Sequence, residues 1–183
     1  MTEKLKVGII LGSTREGRVS PQVGKWLLEK ANERQDAHYE LVDIKDFDLP
    51  FLGTEESEGV KRWNEKLDSL DAFVFVVAEY NHSMTGALKN ALDSAREPWH
   101  NKSAGIVSYG SAGGTRAAEH VRQVCAELLI ADVRVHPVLS LFLDFEKGET
   151  FKPRDLHDKN IKDMLDQVIA WGGALKPLRT KEA

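Results

Sequence analysis

Cysteine is almost missing from these 183 residues: Cys125 is the single one. No intrachain disulfide can form, and the place of Cys125 in a helical apolar pattern makes it a buried thiol rather than a nucleophile. Long hydrophobic runs are missing too, so no segment has the length to span a bilayer. The opening MTEKLKVGIILGS passes directly into a strand-like run, without the longer apolar region and cleavage site of a signal peptide. The expectation is a cytoplasmic protein with no membrane partner. Neither sign of charge dominates: 25 Lys and Arg stand against 29 Asp and Glu, and the net −4 argues against general nucleic-acid binding.

Chemical signatures are absent as well. The six histidines are scattered without an H-E-x-x-H pair, so no metal-ligand set is expected, and His100, His120, His136 and His157 read as surface or structural. There is no G-x-S-x-G elbow and no Cys–His arrangement. No residue stands out as an obligatory catalytic acid or base, and any hard chemistry falls to a cofactor. The phosphate loop G-x-x-x-x-G-K-[ST] is missing, as is G-x-G-x-x-G after the first strand, which sets aside nucleotide triphosphatases and the dinucleotide fingerprint.

What is present is a regular alternation. Val7 to Leu11, Tyr39 to Ile44, Ala72 to Val77, Ala104 to Tyr109 and Val133 to Leu139 read as strands. Between them lie helical patterns: one opened by Ser20 as cap and Pro21, then about Val60 to Leu67, Thr85 to Ala95 and the run after Gly113-Gly114. Ile161 to Ile169 marks a last helix, and the charged tail from Lys176 is expected to fray. No repeat or linker interrupts the chain, and 183 residues suit a single domain. Such alternation implies an α/β fold: a five-stranded parallel sheet in the flavodoxin-like order 2-1-3-4-5, a three-layer sandwich with helices on both faces. Ligands bind such sheets beyond the carboxyl ends of the strands, at the switch between strands 1 and 3.

Three loops therefore matter. In the first, Gly12 and Gly17 allow close approach, Ser13, Thr14 and Ser20 supply hydroxyls, and Arg15 and Arg18 supply forked cationic donors before a helix start, which is phosphate-binding chemistry. With the other phosphate loops set aside, a mononucleotide with an accessible phosphate remains, FMN being the leading case in this fold. The third-strand loop offers Tyr80 and His82 as flat faces, Asn81 as donor and acceptor, and Glu79 as the group that fixes the turn. In the fourth loop Gly110, Gly113 and Gly114 offer backbone N–H groups where a helix starts.

Together the stretches GSTREGRVS, EYNHSMTGALKNALD and SYGSAGGTRA resemble the NADPH-dependent FMN reductase family, with its quinone reductase and azoreductase-like members. The resemblance, with flanking elements, covers over half the chain. It implies that Ser13, Arg15 and Ser20 hold a flavin phosphate, with Arg18 and Val19 in the same loop. Glu79, Tyr80, Asn81 and His82 would lie along the flavin ring, and Ser108, Gly110 and Ser111 beside its pyrimidine edge, with Tyr109 and Gly113 close by. It implies bound FMN, NADPH or NADH as reductant, a small-molecule electron acceptor, and a homodimer or in some members a homotetramer. Two positions depart from the family pattern: Ala78 and Thr85 stand where proline is usual, and Thr85 can serve as a helix cap. A flavodoxin-like FMN electron carrier is the alternative, although such carriers tend to be more acidic than −4.

Overall fold

The computed structural model describes residues 3–53 and 57–180; the acidic pair Glu55–Glu56 and the last three residues lie outside the described residues. Strands β1 (Lys6–Leu11), β2 (His38–Asp43), β3 (Ala72–Ala78), β4 (Lys102–Gly110) and β5 (Ile130–Asp132) make a parallel sheet in the order β2-β1-β3-β4-β5. Helices α1 (Ser20–Asn32), α2 (Glu58–Asp68), α3 (Gly86–Asp93), α4 (Thr115–Glu127) and α5 (Leu156–Thr180) cover it. The expected order of strands and layers is the observed one.

Every residue of β3 is buried, because alternate side chains enter two separate cores. Phe73, Phe75 and Val77 pack beneath α2, α3 and α4, with Trp63 and Trp99. Both indoles are fully buried, and their N–H groups donate to the carbonyls of Ala91 (2.8 Å) and Leu92 (3.1 Å). Ala72, Val74, Val76 and Ala78 face α1 and α5 through Val23, Leu27, Met164 and Leu165. Cys125 is buried in the first core, and burial pushes its thiol up to about 12, so it is inert packing.

Two expectations need correction. The fifth strand is not one run over 133–139. Its place beside β4 is shared by β5 and a second short strand, β6 (Val138–Ser140), which pairs with the other end of β4. Pro137 lacks a ladder donor, though its carbonyl accepts from Ser108 N–H at 3.1 Å. Arg122 holds the intervening bend, donating to the Val133 carbonyl at 3.0 Å and pairing with Asp132. Nor does the tail fray at Lys176. Helix α5 continues through Thr180, tied down by Lys176 and Arg179, which both bond Asp71 (3.1 and 2.6 Å).

After β6 the chain makes a hairpin, β7 (Phe145–Glu146) with β8 (Thr150–Phe151). Its anchor is Asp144, fully buried, which accepts from Ser140 N–H, from Arg154 and from His157 (2.8 to 3.2 Å).

Candidate functional site

The carboxyl ends of β1, β3 and β4 bring the three sequence loops together. Gly12 opens the first. Its N–H donates to Val76 O at 3.0 Å, and a Cβ there would sit 2.8 Å from that same oxygen. Glycine is therefore required for the approach of two backbones rather than for ligand access, a correction to the sequence reading. Thr85 caps α3, accepting from Leu88 N–H at 3.0 Å, and its hydroxyl donates to the Gly12 carbonyl. The first and third loops are thus joined at their bases. They are joined again at their tips, where Ser13 Oγ and the Tyr80 hydroxyl lie 3.2 Å apart.

Within the first loop the two arginines differ. Arg18 donates to both carboxylate oxygens of Asp43 at the end of β2 (2.7 Å for the longer contact) and to the Ser13 carbonyl. It braces the loop. Arg15 is exposed, makes no ion pair among the described residues, and reaches only its neighbour's carbonyl at 3.5 Å. Val19 rather than Ser20 is the N-cap of α1: its carbonyl accepts from Gln22 and Val23 N–H groups. Ser20 is the first helical residue, and its buried Oγ lies beside the Tyr109 hydroxyl without meeting it in good hydrogen-bond geometry. A buried hydroxyl left with one poorly aligned neighbour keeps hydrogen-bonding capacity for a ligand. A serine hydroxyl with spare bonding capacity, an arginine with no ion pair among the described residues and a helix N-terminus together fit a phosphate.

In the third loop Tyr80 and Ser83 exchange backbone bonds (2.9 and 3.0 Å), and between them Asn81 and His82 adopt φ of +48° and +69°. Two successive left-handed residues make the tight primed turn. Helix α4 holds this turn from the side. Glu79, its side chain 5% exposed, accepts from the Arg116 backbone N–H (3.2 Å) and Nε (2.7 Å), and pairs with the other end of the guanidinium. Burial works against this carboxylate, yet the Arg116 bonds and the backbone donors of α4 outweigh it and hold the carboxyl below the usual range. Arg116 also reaches His82 Nε2 at 2.9 Å, and His120 Nδ1 lies 2.8 Å from Ser83 Oγ. The sequence offers Arg116 only as one of three arginines, with Arg15 and Arg18, that could meet a nucleotide phosphate. Its i+1 place after Gly-Gly-Thr hides a partner 37 residues upstream.

The fourth loop is built around Ser108. Its buried hydroxyl donates to the Gly113 carbonyl (2.6 Å) and so accepts from His136 Nε2 (2.7 Å). Burial, helped by the nearby Arg122 charge, lowers His136 to about 4, so the imidazole is neutral with its proton on Nε2. Gly113 N–H is already bonded to Gly110 O at 3.0 Å. Ser108 and Gly113 hence shape the loop, and the Gly113 N–H, one of the three glycine donors expected, is already used within it. Gly114 carries φ +75°, and a Cβ there would lie 2.7 Å from Tyr109 N. Ser111 is exposed at the tip, Gly110 is buried beside Glu79, and the Tyr109 ring lies 6% exposed against Phe145 (6.0 Å), where burial pushes its hydroxyl pKa up.

A cleft of about 460 Å³ adjoins the first loop. It shares Thr14 with that loop and is otherwise walled by Ile44, Lys45, Leu49, Phe51 and Ala87. Sequence reasoning missed it because its walls come from the irregular stretch after β2. Asn90 fixes that stretch, donating to the Pro50 carbonyl (2.9 Å) and accepting from Leu52 N–H (3.1 Å).

Residues 5–143 match the model of the family described as NADPH-dependent FMN reductase. A Schizosaccharomyces pombe NAD(P)H-dependent FMN reductase is 34% identical, over 95% of this chain and 85% of its own length. A Solanum tuberosum NAD(P)H:quinone oxidoreductase is 37% identical over 66% of each chain. Among solved structures, the flavoenzyme NAD(P)H:(acceptor) oxidoreductase FerB of Paracoccus denitrificans superposes with a TM-score of 0.75, at 20% identity, covering 93% of this chain and 98% of its own.

Proposed function

Because the chain belongs to the NADPH-dependent FMN reductase family, we propose that it is an FMN-dependent NAD(P)H oxidoreductase that reduces a quinone, azo compound, free flavin or similar small acceptor. FMN, when bound, supplies the hydride-accepting and hydride-donating ring. The observation that carries the FMN assignment is exposed Arg15, with no ion pair among the described residues, beside the Ser20 hydroxyl at the start of α1. These two residues and Ser13 would hold the phosphate, while Arg18 keeps the loop in shape from Asp43. Tyr80, Asn81 and His82 would form the ring platform, and Gly110 and Ser111 the opposite rim. Protein groups here bind and orient; none is placed as an obligatory acid or base.

Arg18 is held by Asp43 and Arg116 by Glu79 and His82, so of these three arginines Arg15 alone has no ion pair among the described residues, which supports giving it the FMN phosphate. We further infer a cytoplasmic homodimer or homotetramer with no nucleic-acid or membrane partner. The net charge of −4 supports this reading, together with a single buried thiol and exposed apolar side chains at Phe51 and Leu52. No helix among the described residues is long and apolar enough to cross a membrane.

The test is an anaerobic absorbance titration, FMN first and then NADPH or NADH. Bleaching of the flavin bands, and their return on adding a quinone, is the expected result. Bound flavin that neither nucleotide bleaches would make the protein an electron carrier instead, and failure to bind FMN would remove the assignment.

A further inference from the structure

His82 is an exposed side chain on a strained turn, yet one of its ring nitrogens has a defined partner. Arginine carries donors and no acceptor. The 2.9 Å contact between Arg116 and His82 Nε2 must therefore run from the guanidinium to a nitrogen lone pair. That places the imidazole proton on Nδ1, which has no hydrogen-bond partner among the described residues. An imidazolium would have no lone pair to offer and would set a second positive charge against the first. The guanidinium is itself immobilised, since its Nε and far nitrogen are taken by Glu79 and the Arg116 backbone N–H bonds the same carboxylate.

We propose that Arg116 is a positioning residue: anchored on Glu79, it fixes His82 as the neutral Nδ1–H tautomer and so holds one imidazole donor on the rim of the site, ready for a carbonyl oxygen of the bound molecules. The chain of contact is Glu79 to Arg116 to His82, and it also steadies the left-handed pair Asn81–His82. Only a planar fork can serve both partners. A lysine at 116 could still neutralise Glu79, but its single ammonium cannot also hold His82 in line. The inference rests on the FMN reading only for what the donor faces.

Two measurements on the full-length protein decide it. Nitrogen-15 spectra of the histidine side chains, with His82 assigned from H82Q, should show the proton on Nδ1 in the wild type, with or without FMN. In R116K, chosen because R116A would leave Glu79 buried and unpaired, the proton should move to Nε2, the tautomer a free imidazole favours. FMN titration should then show R116K and H82L each weakening binding by roughly tenfold, as loss of one hydrogen bond in the site would. The double variant should be no worse than the poorer single one. H82Q, whose amide can accept from Arg116 and donate elsewhere, should restore most of the affinity. A wild-type His82 carrying its proton on Nε2, or H82L binding FMN normally, would overturn the proposal. A wild type that shows the Nδ1–H tautomer but binds no FMN would overturn the functional reading and leave the tautomer assignment standing.

Discussion

Thr85 Oγ1 donates to the carbonyl of Gly12, 73 residues away, and accepts from Leu88 N–H. One hydroxyl thus caps α3 and locks the first loop to the third. The family pattern has proline here, which presets the helix start but can make neither bond. Thr85→Val keeps the shape and loses both bonds. We expect a loss of about 2 kcal/mol, from the cap and from an unsatisfied buried carbonyl, read by urea denaturation. Thr85→Ser should recover most of it. Equal stability of the Val variant would show that the cap is dispensable.

Arg15 and Arg18 should separate ligand binding from folding. Arg15→Ala removes a side chain with no protein ion pair, so FMN affinity should fall by roughly ten- to a hundredfold while the melting temperature moves little. Arg18→Ala leaves Asp43, 19% exposed, without its partner. Here stability should drop first, and affinity with it. Calorimetric titration and thermal melts on both variants check this; unchanged affinity in Arg15→Ala would refute the phosphate assignment.

Much of this was legible in the sequence. Unbroken apolar runs such as AFVFVV gave the buried strands, and their alternation with helical periods gave the sheet order. The three glycine- and hydroxyl-rich loops marked the ligand-binding end. What stayed hidden was long-range pairing. Arg18 and Arg15 look alike in sequence, and only the register that brings Asp43 beside the first loop tells them apart. Nothing in the fourth-loop motif tells that His136 and the Gly113 carbonyl occupy the Ser108 hydroxyl. Pro137 inside an apolar run did not reveal that the fifth position in the sheet is split, because the break depends on what Arg122 can reach.

Asp144 is the hub of the excursion after β6, and burying its charge is tolerable only because Arg154, His157 and backbone donors surround it. Burial opposes its ionisation, but those bonds prevail and bring it down to about 2. Its stabilising contribution is therefore complete above the ordinary value of 3.8 and disappears as pH falls from there to about 2. Asp144→Asn should cost on the order of 3–5 kcal/mol at neutral pH. Exchange protection should be lost first in the hairpin and at the start of α5, which amide exchange resolves.

His136 should give the protein an acid limb at milder pH. Its folded value of about 4 lies below the 6.5 of an ordinary histidine, since burial and the Arg122 charge both disfavour the cation. Between those values the unfolded chain binds the extra proton, so stability rises with pH across the window. The contribution is whole above 6.5 and lost as pH falls toward 4, about 3 kcal/mol in all. Asp144, held at about 2, titrates below this range and does not mimic it. His136 donates to Ser108, and Ser108 holds the Gly113 carbonyl; the cation keeps that donor, but its buried charge beside Ser108 drives the ring toward water and pulls on the fourth loop. FMN should accordingly be released over the same interval. His136→Gln retains an N–H donor for Ser108 without a titrating ring. In that variant the slope of stability between pH 6.5 and 4 should flatten and FMN should stay bound further into acid. An unchanged slope would assign the acid limb to another group.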